Sequence, residues 1–399
     1  MQNKTTFIMV AGAVFMLAPF AIDMYLPALP AIATALETGL DQMELTVAIL
    51  LFGFALGQLI LGPVSDAFGR RPILLGGLVI YIVASVLAGT AQSIEQLYIW
   101  RFFQALGGAG SVVVFPLVKD RFSEKEGAGI ISYIMALTIV APLVAPIIGG
   151  YVLTIAGWQA IFYLLAAMGA LTFIAASIVV KPTGNARKPF SMRTIAKSYG
   201  QVFGNAELLA WLAAGALPFA GLFAFVAGSP FVYIEYFGVA PEHYGYYTGI
   251  NALAMMGANL INARLLANID PLRKMFVGSI VLFLASIILV VFALMDLGLP
   301  YIVGGLLVFI AALGFTSTNA LVGSLAILPQ ENGTVSALNG ASRFGIGAVS
   351  SFLISLTIST DAVPMTMVMA GTAILTLFST LYLVLAKSRS THTKVTSHA

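Results

Sequence analysis

Twelve long apolar stretches, joined by short polar connections, constrain this chain more than any other feature. They lie near 6–33, 45–63, 72–92, 95–118, 128–152, 157–180, 206–230, 243–266, 274–295, 299–326, 333–357 and 363–386. About 20 predominantly apolar residues suffice for a helix to cross a hydrocarbon core of about 30 Å. In such a solvent each backbone polar group must be satisfied within the protein, which favours helices. A soluble domain carries about 25% charged residues; here 9% are charged, 60% are hydrophobic, and the mean hydropathy is +0.99. The expected class is therefore an all-α membrane protein with twelve transmembrane helices.

The charges between the stretches are sorted by sign. Alternate connections carry Arg70 and Arg71; Lys119, Arg121 and Lys125; Lys181, Arg187, Lys188, Arg193 and Lys197; Arg264, Arg273 and Lys274; and Lys387, Arg389 and Lys394, with Lys4 on the same side. The intervening ones carry Glu37, Asp41, Glu44, Glu95, Glu235, Glu242, Asp296 and Asp361 and no base. The positive-inside rule makes the basic side cytoplasmic, with both termini there. The first stretch follows a single lysine and lacks a small-residue cleavage site, so it reads as a retained helix rather than a signal peptide.

A net charge of +3 gives no basis for nucleic-acid binding. No cysteine is present, which excludes disulfides and thiol chemistry, and the three histidines offer little to a metal. The expectation is no metal and no cofactor, with the lipid bilayer as surroundings.

The longest polar connection, 181–205, contains Pro182, Gly184, Asn185 and Pro189 and divides the chain near its middle. Arg70-Arg71 after the second stretch and Arg273-Lys274 after the eighth lie about half a chain apart. This suggests two parallel repeats: a bundle over 1–180, a linker over 181–205, a second bundle over 206–386, and a disordered tail over 387–399. The fold expected is two six-helix pseudo-symmetric bundles around a central cavity.

Within the first stretch only Asp23 is ionisable before Glu37. A carboxylate at the centre of a membrane helix costs about 2.5–3.5 kcal/mol and usually faces a bundle interior or wet cavity. From Phe7, Asp23 lies about 24 Å along a straight helix, in the outer half, so an interfacial position is the alternative. Met16, Pro19 and Phe20 share a similar face and form a candidate cavity wall. Arg101 lies in the outer half of the fourth stretch and shares that depth; the alternative is snorkelling to the outer surface. Asn251, Asn259 and Asn262, with Asn319 and Asn339, suit interhelical hydrogen bonds. Arg343, inside the eleventh stretch, either sets a substrate charge preference, pairs with Asp23 or binds an anionic group, or snorkels inward.

Three motifs carry a resemblance. The loop Gly62-Pro63-Val64-Ser65-Asp66-Ala67-Phe68-Gly69-Arg70-Arg71-Pro72 resembles the signature loop of the major facilitator superfamily. Arg101-Phe102-Phe103-Gln104-Ala105-Leu106-Gly107-Gly108 is similar to its helix-four motif. Ala141-Pro142-Leu143-Val144-Ala145-Pro146-Ile147-Ile148-Gly149-Gly150 resembles the antiporter motif of drug exporters, with Ala145 where glycine is usual. Asp23-Met24-Tyr25-Leu26-Pro27-Ala28-Leu29-Pro30, Gly157-Trp158-Gln159-Ala160-Ile161-Phe162 and Gly228-Ser229-Pro230-Phe231-Val232-Tyr233 look like the Bcr/CflA branch, linked to bicyclomycin and chloramphenicol-type resistance.

The resemblance implies a drug:proton antiporter of the bacterial inner membrane, a monomer with the proton gradient as its energy source, working by alternating access on small amphiphilic drugs. It implies proton coupling at Asp23 and Arg101, and gating at Gly62, Asp66, Gly69, Arg70 and Arg71. The antiporter motif would act through Pro142, Pro146, Gly149 and Gly150. Substrate contacts are expected at Asp23, Phe20, Gln104, Asn251 and Arg343. Export of a metabolite such as a dipeptide, amino acid or nucleoside is the alternative. A membrane enzyme would need a catalytic loop with paired acids or a metal cluster, and the longest connection has neither.

Overall fold

The computed structural model describes residues 4–181, 192–266, 268–328, 332–357 and 361–396. Among them every regular element is helical. The expected features Pro182, Gly184, Asn185, Arg187, Lys188 and Pro189 lie outside the described residues.

The first crossing is not one straight helix. It consists of α1 (Lys4–Asp23), a 3₁₀ turn (Leu26–Ala28) and α2 (Leu29–Ala35). Pro27 explains the break. It has no N–H for the Asp23 carbonyl, and its ring crowds that carbonyl, so a helix cannot run through. Next come α3 (Leu40–Phe68) and α4 (Arg70–Gly89), joined at Gly69 with φ of 99°. That left-handed turn is one glycine adopts at no steric cost. The fourth crossing is also broken, into α5 (Ile94–Gly108), a 3₁₀ segment (Ala109–Val113) and α6 (Val114–Arg121). Then follow α7 (Glu124–Ala156), which retains Pro142 and Pro146 inside it, and α8 (Trp158–Val179).

The connection between the halves contains an amphipathic helix, α9 (Met192–Phe203), whose Val202 packs with Leu208, Leu212, Val335 and Leu338. The second half comprises α10 (Ala206–Pro230) with a π-helical end (Phe231–Tyr236), α11 (Pro241–Arg264), α12 (Pro271–Leu294), α13 (Leu299–Ile327), α14 (Asn332–Ser355) and α15 (Val363–Thr396). Where the sequence suggested a disordered tail from 387, α15 continues to Thr396.

Ten of the crossings are long and apolar enough to span a membrane by composition. α11 and α14 are not among those ten. Both pack on the opposite half, α11 on α7 and α14 on α3. Helices that meet the other half need not be apolar all round, because part of their surface never sees lipid.

Across the α3–α14 contact, Phe54 meets Phe344 with ring centroids 5.3 Å apart. Nearer the basic end, Gly340 lies against Gln58 and Leu59 packs on the Val335–Leu338 cluster. At the acidic end, Gly150 of α7 abuts the first turn of α11, where an added Cβ would meet the Pro241 carbonyl oxygen at 2.5 Å. The Tyr151 and Tyr246 hydroxyls join at 2.9 Å beside it.

Candidate functional site

The break in the first crossing builds the site. Ending α1 at Asp23 leaves carbonyls without their helical donors. Arg101, fully enclosed, supplies one: its Nη1 donates to the Ala21 carbonyl at 2.9 Å and to Gln104 Oε1 at 2.7 Å. Gln104 Nε2 donates onward to Ser85 Oγ at 2.8 Å, and Ser85 donates to the Tyr81 carbonyl at 2.7 Å. The guanidinium carbon lies 4.1 Å from the centre of the Tyr25 ring, and the Tyr25 hydroxyl meets Thr46 Oγ1 at 2.8 Å. Arg101 is thus a cation whose burial is compensated by a helix C-terminus, an amide and an aromatic face.

This differs from the expectation that Asp23 and Arg101 pair. Asp23, half-buried, forms no ion pair among the described residues, and Arg101 Nη1 is taken by Ala21 and Gln104, its Nε and Nη2 being enclosed without hydrogen-bond partners. The 3₁₀ turn that follows Asp23 packs on α10 and α11 of the opposite half, and α11 carries Tyr244. Tyr244 shares a 2.7 Å hydrogen bond with Ser229 at the end of α10 and packs on Tyr233 with ring centroids 5.9 Å apart. Asn251 is buried with both amide atoms unpartnered, as is the Tyr233 hydroxyl, with which it interacts. The break beside Asp23 therefore lies against the helices that carry this phenol, hydroxyl and amide cluster. Asn251 was singled out from the sequence. Tyr233, Tyr244 and Ser229 were not assigned a role, although Ser229 and Tyr233 lie within a motif already noted for its resemblance.

Two expected substrate contacts are placed in the framework. Gln104 is enclosed and uses both ends of its amide, and Phe20 is buried in the main apolar core. Arg343 lies midway along α14, half-buried, and is described further below. Asn259 accepts from Thr318 at 3.0 Å, and Asn262 accepts from Asn319 at 3.2 Å, so both tie α11 to α13. Glu44 corrects the loop assignment: it is enclosed in α3 with both carboxylate oxygens unpartnered. Helical spacing sets it on the face of Ala48, Leu51, Ala55 and Gln58, where Ala55 and Gln58 touch Gly345 and Gly340 of α14.

In the loop after α3, Arg70 links two carboxylates, Asp66 Oδ1 at 2.8 Å and Asp120 Oδ2 at 2.5 Å. Arg71 Nη2 donates to the Ser177 carbonyl at 2.9 Å. The loop thereby ties α3 and α4 to α6 and α8. Asp66 does so through an arginine rather than through a helix N-terminus. Gly62 has no atom within 4 Å of where a Cβ would stand, so close packing does not require glycine there.

The antiporter-motif glycines are different. A Cβ on Gly149 would collide with the Met24 carbonyl oxygen, and one on Gly150 with Pro241 and Glu242. Gly149 thus lets α7 approach the break next to Asp23, and Gly150 lets it approach α11 of the other half.

The Major Facilitator Superfamily model matches residues 11–351. The chain belongs to this superfamily. As a facilitator it is a membrane transporter of many passes, not an enzyme. It is 32% identical over 96% of its length to a bicyclomycin resistance protein homolog of Haemophilus influenzae, covering 97% of that protein. It is 29% identical over 84% of its length to the multidrug resistance protein MdtL of Vibrio parahaemolyticus, covering 85% of it. The facilitator fold is shared with the xylose transporter XylE of Escherichia coli in a partially occluded inward-open conformation, with a TM-score of 0.73, 12% identity and coverage of 95% and 97% of the two chains. The sequence kinship places this facilitator with the bicyclomycin resistance and multidrug resistance proteins.

The Arg101 network has a direct consequence. Lysine would keep the charge but not the flat guanidinium that lies on Tyr25 while its Nη1 reaches both Ala21 and Gln104. A hydrogen bond to a charged group contributes about 1.5–3 kcal/mol. Arg101→Lys is therefore expected to lower the thermal unfolding midpoint of the detergent-solubilised protein and to reduce transport. A midpoint equal to that of the unmodified protein would show that Arg101 does not hold the break.

Proposed function

We propose that this facilitator exports small amphiphilic drugs across the bacterial inner membrane in exchange for protons, by alternating access. Several sequence and structural features support the reading. The basic end is taken as cytoplasmic from the distribution of lysine and arginine, with both termini there. Residues 1–180 and 206–386 act as the two bundles, and 181–205 acts as the connection between them. The observation that carries the coupling is Asp23. It is a carboxylate at a helix break, without an ion pair among the described residues, and the turn after it packs on helices of the opposite half.

In this mechanism Asp23 takes a proton when the site is open to the outside and releases it when the site is open to the inside. Drug and proton compete for the same space, so one leaves as the other binds. The Arg101 network keeps the break, and hence Asp23, in place through the cycle. Tyr244, Ser229 and Asn251 give the other half a means of sensing whether Asp23 is charged. The close contacts at Gly149 and Gly150 let the acidic end shut. The Asp66–Arg70–Asp120 bridge holds the loop that moves with the first bundle.

Everted membrane vesicles energised to an acid interior test the exchange. Adding bicyclomycin should cause proton release that scales with drug concentration and is absent from vesicles lacking the protein. Drug accumulation with no linked proton movement would overturn the antiport reading.

A further inference from the structure

Arg343 sits midway along α14, about 16–18 Å from either end at ~1.5 Å per residue. That is further than an arginine side chain reaches, so it cannot place its charge at a membrane surface. A cation at such depth is costly and is normally met by a carboxylate, by carbonyls or by water. Arg101 meets the requirement in part inside the protein, where its Nη1 donates to Ala21 and Gln104 while Nε and Nη2 stay unpartnered. Arg343 does not: among the described residues it has neither an ion pair nor a hydrogen bond, and its Nε is enclosed.

Its neighbours are aromatic instead. The guanidinium carbon lies 4.5 Å from the centre of the Phe219 ring. Phe219 stands 6.4 Å from Phe223, Phe223 stands 5.8 Å from Phe344, and Phe344 stands 5.3 Å from Phe54 of the opposite half. This row of rings crosses the junction between the bundles. A guanidinium offers five donors in a planar fork that matches a carboxylate in two parallel bonds. Among the described residues no hydrogen bond uses that capacity, and Phe219 and Phe344 keep part of their surface open beside it, with Phe223 and Phe54 buried behind them.

We propose that Arg343, Phe219 and Phe344 form a docking site for an aromatic substrate bearing a carboxylate or similar anionic group. This rests on the efflux reading above and narrows its substrate class. The guanidinium receives the anionic group and the two partly open phenylalanines receive the ring. Because Phe344 packs on Phe54 of the opposite half, a ligand held there lies beside the surfaces that must part and rejoin during transport.

Two probes that differ only in charge isolate the role of Arg343: dansylglycine, an aromatic acid, and dansylglycinamide, its neutral amide. Fluorescence titration is performed on the full chain in phosphatidylcholine nanodiscs, where no anionic lipid can occupy the site. Dansylglycine is expected to bind saturably and more tightly than the amide. Arg343→Gln should weaken the acid by about tenfold or more, the loss of a charge-assisted contact. It should leave the amide within about twofold, which also reports that the variant is folded. Arg343→Lys should fall between the two. Equal weakening of both probes, equal affinity of the two for the unmodified protein, or no binding of the acid overturns the assignment. Bicyclomycin-driven proton release from the same protein separates the two readings. If it persists without acid selectivity, only the anionic class is lost; if it is absent, the efflux reading fails.

Discussion

Asp23→Asn is expected to abolish drug-driven proton release while leaving a neutral drug able to bind. The substitution keeps the side chain's size and its ability to accept hydrogen bonds, but an amide exchanges no proton in the useful pH range. Asp23 follows Lys4 as the next ionisable group of the first crossing, and it is placed at the end of α1, next to the turn that packs on α11 of the other half. With Arg101 Nη1 taken by Ala21 and Gln104, removing the Asp23 charge leaves no broken ion pair behind. The variant should therefore fold, and its thermal midpoint should stay close to the original. Asp23→Glu should retain part of the activity, since it keeps the proton and moves it by one methylene. The measurement is bicyclomycin efflux in vesicles as the pH gradient is varied. If Asp23→Asn pumps the drug uphill with an unchanged response to the gradient, coupling resides elsewhere. Glu44, enclosed and unpartnered, would be the next residue to substitute.

Gly149→Ala is expected to cost transport at least about tenfold, although alanine is the smallest change available. The added carbon has nowhere to go. It would strike the Met24 carbonyl oxygen, a backbone atom of the segment that begins next to Asp23. Overpacking of this kind costs about 1–3 kcal/mol, and backbone yields less readily than a side chain end. Either α7 moves away from the broken crossing or the break shifts, and in both cases the turn after Asp23 loses its register against α11. Gly62→Ala provides the contrast. Gly62 belongs to an equally recognisable motif, yet no atom lies within 4 Å of its would-be Cβ, so this variant should transport like the original. Measured side by side in the same vesicles, equal tolerance of both substitutions would remove the packing role from Gly149.

Arg101 and Asp23 show how far a linear reading reaches. Both were recognisable as misplaced charges in apolar stretches, because the cost of a charge in hydrocarbon does not depend on which fold surrounds it. Their partners were not. Equal depth on neighbouring crossings suggested that they pair, but depth is one coordinate of three. The break imposed by Pro27 turns the Ala21 carbonyl towards Arg101 and lays the turn after Asp23 against α11 of the other half. Glu44 failed in a related way. Its position near the end of an apolar run read as a connection, while helical rotation carries it into the interior.

By itself the sequence determined the number of crossings, the sorting of basic from acidic ends, and the glycine and proline motifs. Each follows from local rules: the length of an apolar run, the sign of a loop and the backbone limits of one residue type. Only the tertiary structure decided what those residues touch. It showed that Gly149 is needed against Met24 while Gly62 has open space, and that Arg101 is consumed by its own half. It also showed that Arg343 is left with an aromatic row and no counter-charge among the described residues. The reason is physical: a contact between two crossings depends on the rotation and tilt of both, set by packing over the whole bundle rather than by any short stretch of chain.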